Sequence, residues 1–371
     1  MKENKISTGS TKDFIIEATI GNLNLETAIL NLIDNSIQAA DRLTEKYKGS
    51  KKYTINVLIN ASNFMIEDNC GGISKEQFKS IFKFDANKNC NVKRSVLKLG
   101  KKIIIKSIKS NSLYTIPIDV NTWGNKDDWD IYFKEEQIRD YFYNGVSIEI
   151  KDLYIEVIKQ FASDKFLNKL VDKISKKYRY KLKENINLLI NNKPIYPKCI
   201  NENMLEASES KSINGMNVTI NLYNIHTKLS TKIENGWDFI INGICVIKRD
   251  KSLVWRGKGK VIEKGHSYVN FIGEVLIEGN YVRNLPIWVD ENSEINAQSF
   301  NNKDILEFMN EVIQKNREPF KSDETNIQYR RPYFMVEKLK DYYYNAKTSK
   351  DVGEDSFDEA YTRCILNKKS F

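Results

Sequence analysis

From Leu25 the small and apolar residues recur at helical spacing through Ile29, Leu32, Ser36, Ala39 and Leu43, while the opposite stripe carries Asn31, Asp34, Asn35 and Gln38. This predicts an amphipathic helix with Asn24 as its N-cap. The period then changes to two. YTINVLIN alternates through Tyr53, Ile55, Val57 and Ile59, and FMIED follows across a polar turn, so the pair predicts a hairpin. DNCGG is a tight glycine turn, after which Ser74 and Gln77 have capping-box spacing and start a helix expected to bury Phe78, Ile81 and Phe82. A basic helix, VKRSVLKLGKK, leads into strands at IIIKSI, LYTIPIDV and VSIEI, and the first domain is expected to end near Leu153.

Residues 154–184 read as a lysine-rich helical connector with one buried face, Val157, Phe161, Phe166, Leu170 and Ile174, its lysines left to solvent. From 185 to about 300 short strands return (INLLIN, MNVTINLY, WDFIINGICVIKRD, YVNFIGEVLIEG), punctuated by Asn, Gly and Pro, and predict a second, sheet-containing domain. Residues 301–371 read as a helical tail, KDILEFMNEVIQKN and then FMVEKLKDYYYNAK, with an acidic break at DVGEDSFDEA.

At 371 residues and 41% hydrophobic, the chain can bury two cores. It has no apolar run approaching the roughly 18 residues of a membrane span, and MKENKISTGSTKD lacks the apolar centre of a signal peptide, so a cytoplasmic protein without membrane contact is expected. Cys70, Cys90, Cys199, Cys245 and Cys364 show no CxxC spacing and are expected as free thiols, with Cys70 and Cys90 filling space left by glycines. His226 and His266 stand in no ligand or triad pattern, which argues against zinc-hydrolase and Ser-His-Asp chemistry. The net charge of +9 permits a polyanion partner, yet Lys, Asn and Ile are abundant throughout and no nucleic-acid-binding motif accompanies the charge. Any nucleic-acid contact is expected to be weak, salt-sensitive and independent of sequence. Alternation on a strand accounts for Lys101, Lys102, Lys106 and Lys109 by exposing them to water.

A helix with an Asn/Asp face, a hairpin, an Asp-Asn-x-Gly-Gly turn, a basic lid-like segment and a final strand with a glycine follow in order. The series resembles the GHKL superfamily, the fold of gyrase, heat-shock chaperone, histidine kinase and MutL ATPases. DFIIEATI, NLIDNSIQAA and NVKRSVLKLG are most similar to bacterial GHKL proteins often linked to defence loci, and GICVIKRDKSLV is similar to a strand-turn-strand of the transducer domains that follow this fold. The resemblance covers roughly residues 13–300. It implies an α+β chain: a GHKL (Bergerat) α/β sandwich over 1–153, a transducer-like domain over 185–300 and a helical tail. It further implies ATP and magnesium as cofactors, Asn35 and Asn31 for the metal, Asp68 for the adenine amine, Gly72 for close approach of backbone, and Lys93 and Gly145 among the cofactor-binding residues.

Departures from the pattern bear on chemistry. Hydrolytic members carry a carboxylate four residues before the magnesium Asn, where this chain has Asn31; Asp34 is the candidate substitute base. Cys70 replaces a turn glycine, the lid glycines fall on Asn89 to Asn91, Val146 stands where a threonine hydroxyl supports the adenine site, and Asp290 and Glu291 lie where transducer domains place a γ-phosphate lysine. Histidine kinases also carry Asn at the position of Asn31, but no phosphoacceptor histidine precedes residue 13, so phosphotransfer is not expected. Three readings stay open: an ATP-binding conformational or assembly module with protein partners, such as one of phage defence; a slow ATPase that clamps nucleic acid as a homodimer; and a nucleotide-free scaffold.

Overall fold

The computed structural model describes residues 16–17, 20–21, 23–47, 51–81, 91–124, 130–138, 144–224, 236–250, 271–279 and 303–316. Helix α1, Leu25–Tyr47, starts where the Thr27 amide donates to Asn24 Oδ1 at 2.7 Å, satisfying one of the four donors that a helix start leaves unpaired. Strands β1 (Tyr53–Ile59) and β2 (Asn63–Asp68) form the expected antiparallel hairpin, and their alternate residues are buried. Asn60 Oδ1 closes the turn by accepting from the amides of Ser62 and Asn63. Before α2 (Lys75–Ile81) the capping box is made in both directions: Ser74 N donates to Gln77 Oε1 at 2.9 Å, and Gln77 N to Ser74 Oγ at 3.4 Å.

Helix α3 (Asn91–Leu99) runs directly into β3 (Gly100–Lys109), followed by β4 (Ser112–Asp119), α4 (Val120–Gly124), β5 (Lys134–Gln137) and β6 (Gly145–Leu153). Three helices come next: α5 (Ile155–Phe161), α6 (Asp164–Lys177) and α7 (Arg179–Glu184). Strands β7 (Ile186–Ile190) and β8 (Lys193–Pro194) complete an eight-stranded sheet of order β5-β4-β3-β6-β2-β1-β7-β8. Every neighbouring pair in it is antiparallel except β1 and β7.

Two expectations about domain limits change. The helices over 155–184 do not merely connect: Val157, Phe161, Phe166, Leu170, Ile174 and Tyr178 belong to one core cluster with Ile29, Ile33, Ile55, Phe64 and Ile150. The strand INLLI belongs to the first sheet, where Tyr53 stands opposite Ile186 and Val57 opposite Ile190. Alternation specifies which face of a strand is buried but leaves its partner open.

The second sheet has order β12-β11-β13-β10-β9, from β9 (Leu205–Ile213), β10 (Met216–Asn224), β11 (Gly236–Ile241), β12 (Ile244–Asp250) and β13 (Phe271–Glu278). Helix α8 (Lys303–Lys315) buries Ile305, Phe308, Met309, Val312 and Ile313 and packs on β9 and β10. Strand β9, LEASESKSI, lacks the apolar alternation that marks the others because it is an edge strand with only Ile213 buried. The described residues are therefore mixed α and β with two sheets. Among the described residues no helix is long and apolar enough to cross a membrane. Phe82, Asn89, Cys90, His226, His266, Asp290, Glu291, Cys364 and the second half of the expected helical tail lie outside the described residues.

Candidate functional site

The C-terminal end of β2 places Asp68 where a carboxylate is buried yet well supplied with donors. Ser36 Oγ, from α1, donates to Oδ2 at 2.6 Å, and the backbone amides of Cys70 and Val146 donate to Oδ1 at 2.9 and 3.3 Å. Burial raises the pKa of Asp68 above its ordinary value, and the bonds from Ser36, Cys70 and Val146 oppose the rise. An ionised carboxylate offers about four acceptor sites. Ser36 and the two amides fill three, and the Cys70 thiol, a weak donor, also bonds to the carboxylate.

Gly145 makes the third of those bonds attainable. A Cβ at residue 145 would lie 1.9 Å from the Asp68 carbonyl oxygen, so only glycine lets β6 come this close to the end of β2. Gly72 is a different case. Its φ is +66°, and a Cβ there would meet the Ile108 carbonyl oxygen at 2.1 Å. Glycine at 72 is thus required by the approach of the turn to β3, which also receives the Ile73 amide on Ser107 Oγ at 2.7 Å. Cys70 is buried, and burial, then the neighbouring Asp68 carboxylate to which its thiol is hydrogen-bonded, push the thiol pKa well up.

On α1, Asn31 is buried and Asn35 half-buried; Asn35 Nδ2 donates to the Asn31 carbonyl at 2.5 Å, which leaves Oδ1 as the acceptor its side chain offers. Asp34 does not fill the role of substitute base. Its Oδ2 pairs with Lys177 Nζ at 2.8 Å and its Oδ1 accepts from Tyr178 OH at 2.8 Å, so the carboxylate is turned to the junction of α6 and α7. Helix α3, which carries the buried Lys93, packs against α1. The structure thus brings Asn31, Asn35 and Asp68 together through α1 and Ser36, adds Gly145 behind Asp68, and directs Asp34 elsewhere.

Ser36 is a residue of the candidate site that pattern reading does not single out: it lies on the buried stripe of α1, where a hydroxyl needs a polar partner, and that need is the available signal. It supplies Asp68 with a side-chain hydroxyl in a site whose last strand has Val146 in place of the family's threonine.

Residues 23–149 match the family model described as histidine kinase-, DNA gyrase B-, and HSP90-like ATPase. The first domain has the GHKL fold. The match begins just before the N-cap of α1 and ends within β6, so it takes in α1, the Asp68 turn, α3 and Gly145, about a third of the chain. No curated protein matches the chain.

Family members bind ATP with magnesium, and the residues of this GHKL domain fit that ligand at two points. An exocyclic amine is a stronger donor than the Cys70 thiol and would take its place on Asp68. On the two packed helices, Thr27 Oγ1, Asn31 Nδ2 and Ser95 Oγ are buried without a hydrogen-bond partner among the described residues. A buried unsatisfied polar group costs about 1–3 kcal/mol, and phosphate oxygens or metal-bound water are groups that would relieve it.

Proposed function

We propose that the GHKL domain binds ATP with magnesium and uses it as a conformational ligand within a bacterial multi-protein assembly in the cytoplasm, with little or no hydrolysis. The observation that carries this reading is Asp68: a buried carboxylate at the end of β2, held by Ser36 and the Cys70 and Val146 amides and otherwise met only by the weak thiol donor of Cys70. Adenine presents an amine that would take the thiol's place, whereas guanine presents a carbonyl oxygen that the carboxylate repels. Asn35 and Asn31 would hold the metal through neutral oxygens, a donor type suited to a hard cation, and Lys93 would face the phosphates. Gly72 contributes through the turn rather than by touching the nucleotide.

Low turnover follows from position 31. A positioned general base is worth typically about 10²–10⁴ in rate, and the amide of Asn31 takes no proton from water at neutral pH. The nearest carboxylate on the helix, Asp34, is ion-paired with Lys177. A place in phage defence rests on the sequence resemblance alone.

Calorimetric titration of the full chain with ATP and magnesium tests the reading, together with phosphate release under saturation. The expected result is saturable binding, weakened roughly ten- to hundredfold in Asp68→Ala because a hydrogen bond to a charged group is worth about 1.5–3 kcal/mol, with turnover at background. Equal affinity in wild type and Asp68→Ala removes the adenine assignment. Absence of binding favours a nucleotide-free scaffold, and turnover above about one per minute makes the protein an enzyme.

A further inference from the structure

The junction of α6 and α7 lies at Tyr178, which ends one helix and begins the next with φ −106° and ψ 21°. The five residues around this break reach two separate elements. Lys177 and Tyr178 both hold Asp34 of α1, Tyr178 OH also lies 3.3 Å from the Leu30 carbonyl, and Lys181 Nζ pairs with Asp41 of α1 at 2.7 Å. Between them, Arg179 and Tyr180 engage the second sheet. Arg179 Nη2 donates to Asp238 Oδ2 of β11 at 2.9 Å and to Glu274 Oε1 of β13 at 2.6 Å, while Tyr180 OH donates to Glu274 Oε2 at 2.7 Å.

The second-sheet end is built, not incidental. Tyr223 OH of β10 donates to Glu274 at 2.9 Å, the Arg249 amide donates to Asp238 Oδ1 at 2.8 Å, and Arg249 Nη1 lies 2.9 Å from Asp238 Oδ2 without hydrogen-bond alignment. Asp238 and Glu274 are each 1% exposed, so both carboxylates sit away from water. Buried ion pairs add little net stability compared with apolar packing, but breaking one leaves an uncompensated charge. Such a network defines one geometry and resists others. At the other end, a Cβ on Gly243 would lie 2.9 Å from Lys181 Cε, so the β11–β12 turn sits against the same lysine that holds Asp41.

We propose that residues 177–181 couple the candidate nucleotide helix to the second sheet, so that the arrangement of the second sheet regulates the site on α1. This rests on the nucleotide reading for its ligand but not for its mechanics. Asp34 lies between Asn31 and Asn35, and Ser36 follows; whatever moves Asp34 moves all three. Lys177, Tyr178 and Arg179 are positioning residues, since they act through Asp34 and Glu274.

Hydrogen exchange of the full chain, read by mass spectrometry, tests the coupling. In Glu274→Gln without nucleotide, α1 amides over residues 31–36 should exchange at least about fivefold faster than in wild type, the lower end of ordinary coupling, while β1 and β2 keep their protection. Magnesium-ATP should slow exchange in α1, β11 and β13 of the wild type but only in α1 of the variant. Tyr180→Phe, which removes one hydroxyl and no charge, should give the same pattern more weakly and decides the matter if Glu274→Gln does not fold. Unchanged α1 exchange in a folded variant with a loosened second sheet overturns the coupling, as does equal loosening of β1 and β2. Failure of ATP to alter α1 in the wild type counts against the nucleotide reading alone, because the comparison without nucleotide stands by itself.

Discussion

Ser36 and Gly145 do for Asp68 what neither could do alone: one brings a hydroxyl from the helix, the other lets a strand bring an amide. The pH dependence of binding follows from their balance. A proton and an adenine amine compete for the carboxylate, so affinity is full above the pKa of Asp68 and is lost as pH falls through it. Because burial raises that pKa, the loss should occur above the ordinary carboxylate range. The sign for stability is opposite: ionised Asp68 is disfavoured in the folded chain, so its contribution to stability falls as pH rises from the unfolded to the folded pKa. Ser36→Ala removes a bond that favours the ionised form and should move the loss of ATP affinity to higher pH. Titrations across a pH series measure this; an unshifted profile would mean that Ser36 does not set the state of Asp68.

Helix α6 shows how an element acquires a role that its pattern does not announce. Its apolar spacing requires a buried face, and Phe166, Leu170 and Ile174 are buried as that spacing demands. Its last lysine was expected in solvent and instead pairs with Asp34, while Tyr178 is fully buried beside it. Burial, and then the neighbouring Asp34, raise the tyrosine pKa well above its ordinary value, so the phenol stays a neutral donor. Tyr178→Phe should destabilise the chain by about 1.5–3 kcal/mol, the worth of a hydrogen bond to a charged group, with little change in packing. Urea unfolding followed by circular dichroism reads this directly, and a change below about 0.5 kcal/mol would show that Lys177 alone holds Asp34.

For the molecule as a whole, the first folding unit extends beyond β6. Strand β7 covers β1, and α5, α6 and α7 supply part of the core that the eight-stranded sheet buries. A fragment of residues 1–153 lacks both, so it should show no cooperative unfolding transition, whereas a fragment of residues 1–198 should unfold cooperatively in urea. A cooperative 1–153 fragment would place the boundary back at Leu153. The second sheet then begins with β9 rather than with INLLI.

Local order was legible because local physics sets it. Period-two and helical spacing located α1, the β1–β2 hairpin, α3 and most strands; the Asn24 cap and the Ser74–Gln77 box followed from side chains that bond within three residues. The order of the turn, the helix Asn and the final glycine was enough to indicate the GHKL fold. Tertiary structure alone decided what lies far apart in sequence: Ser36 on Asp68 across 32 residues, Asp34 on Lys177 across 143, and Arg179 on Glu274 across 95. A sequence pattern states that a polar group on a buried face needs a partner, and only the packing of one element on another determines which partner it receives.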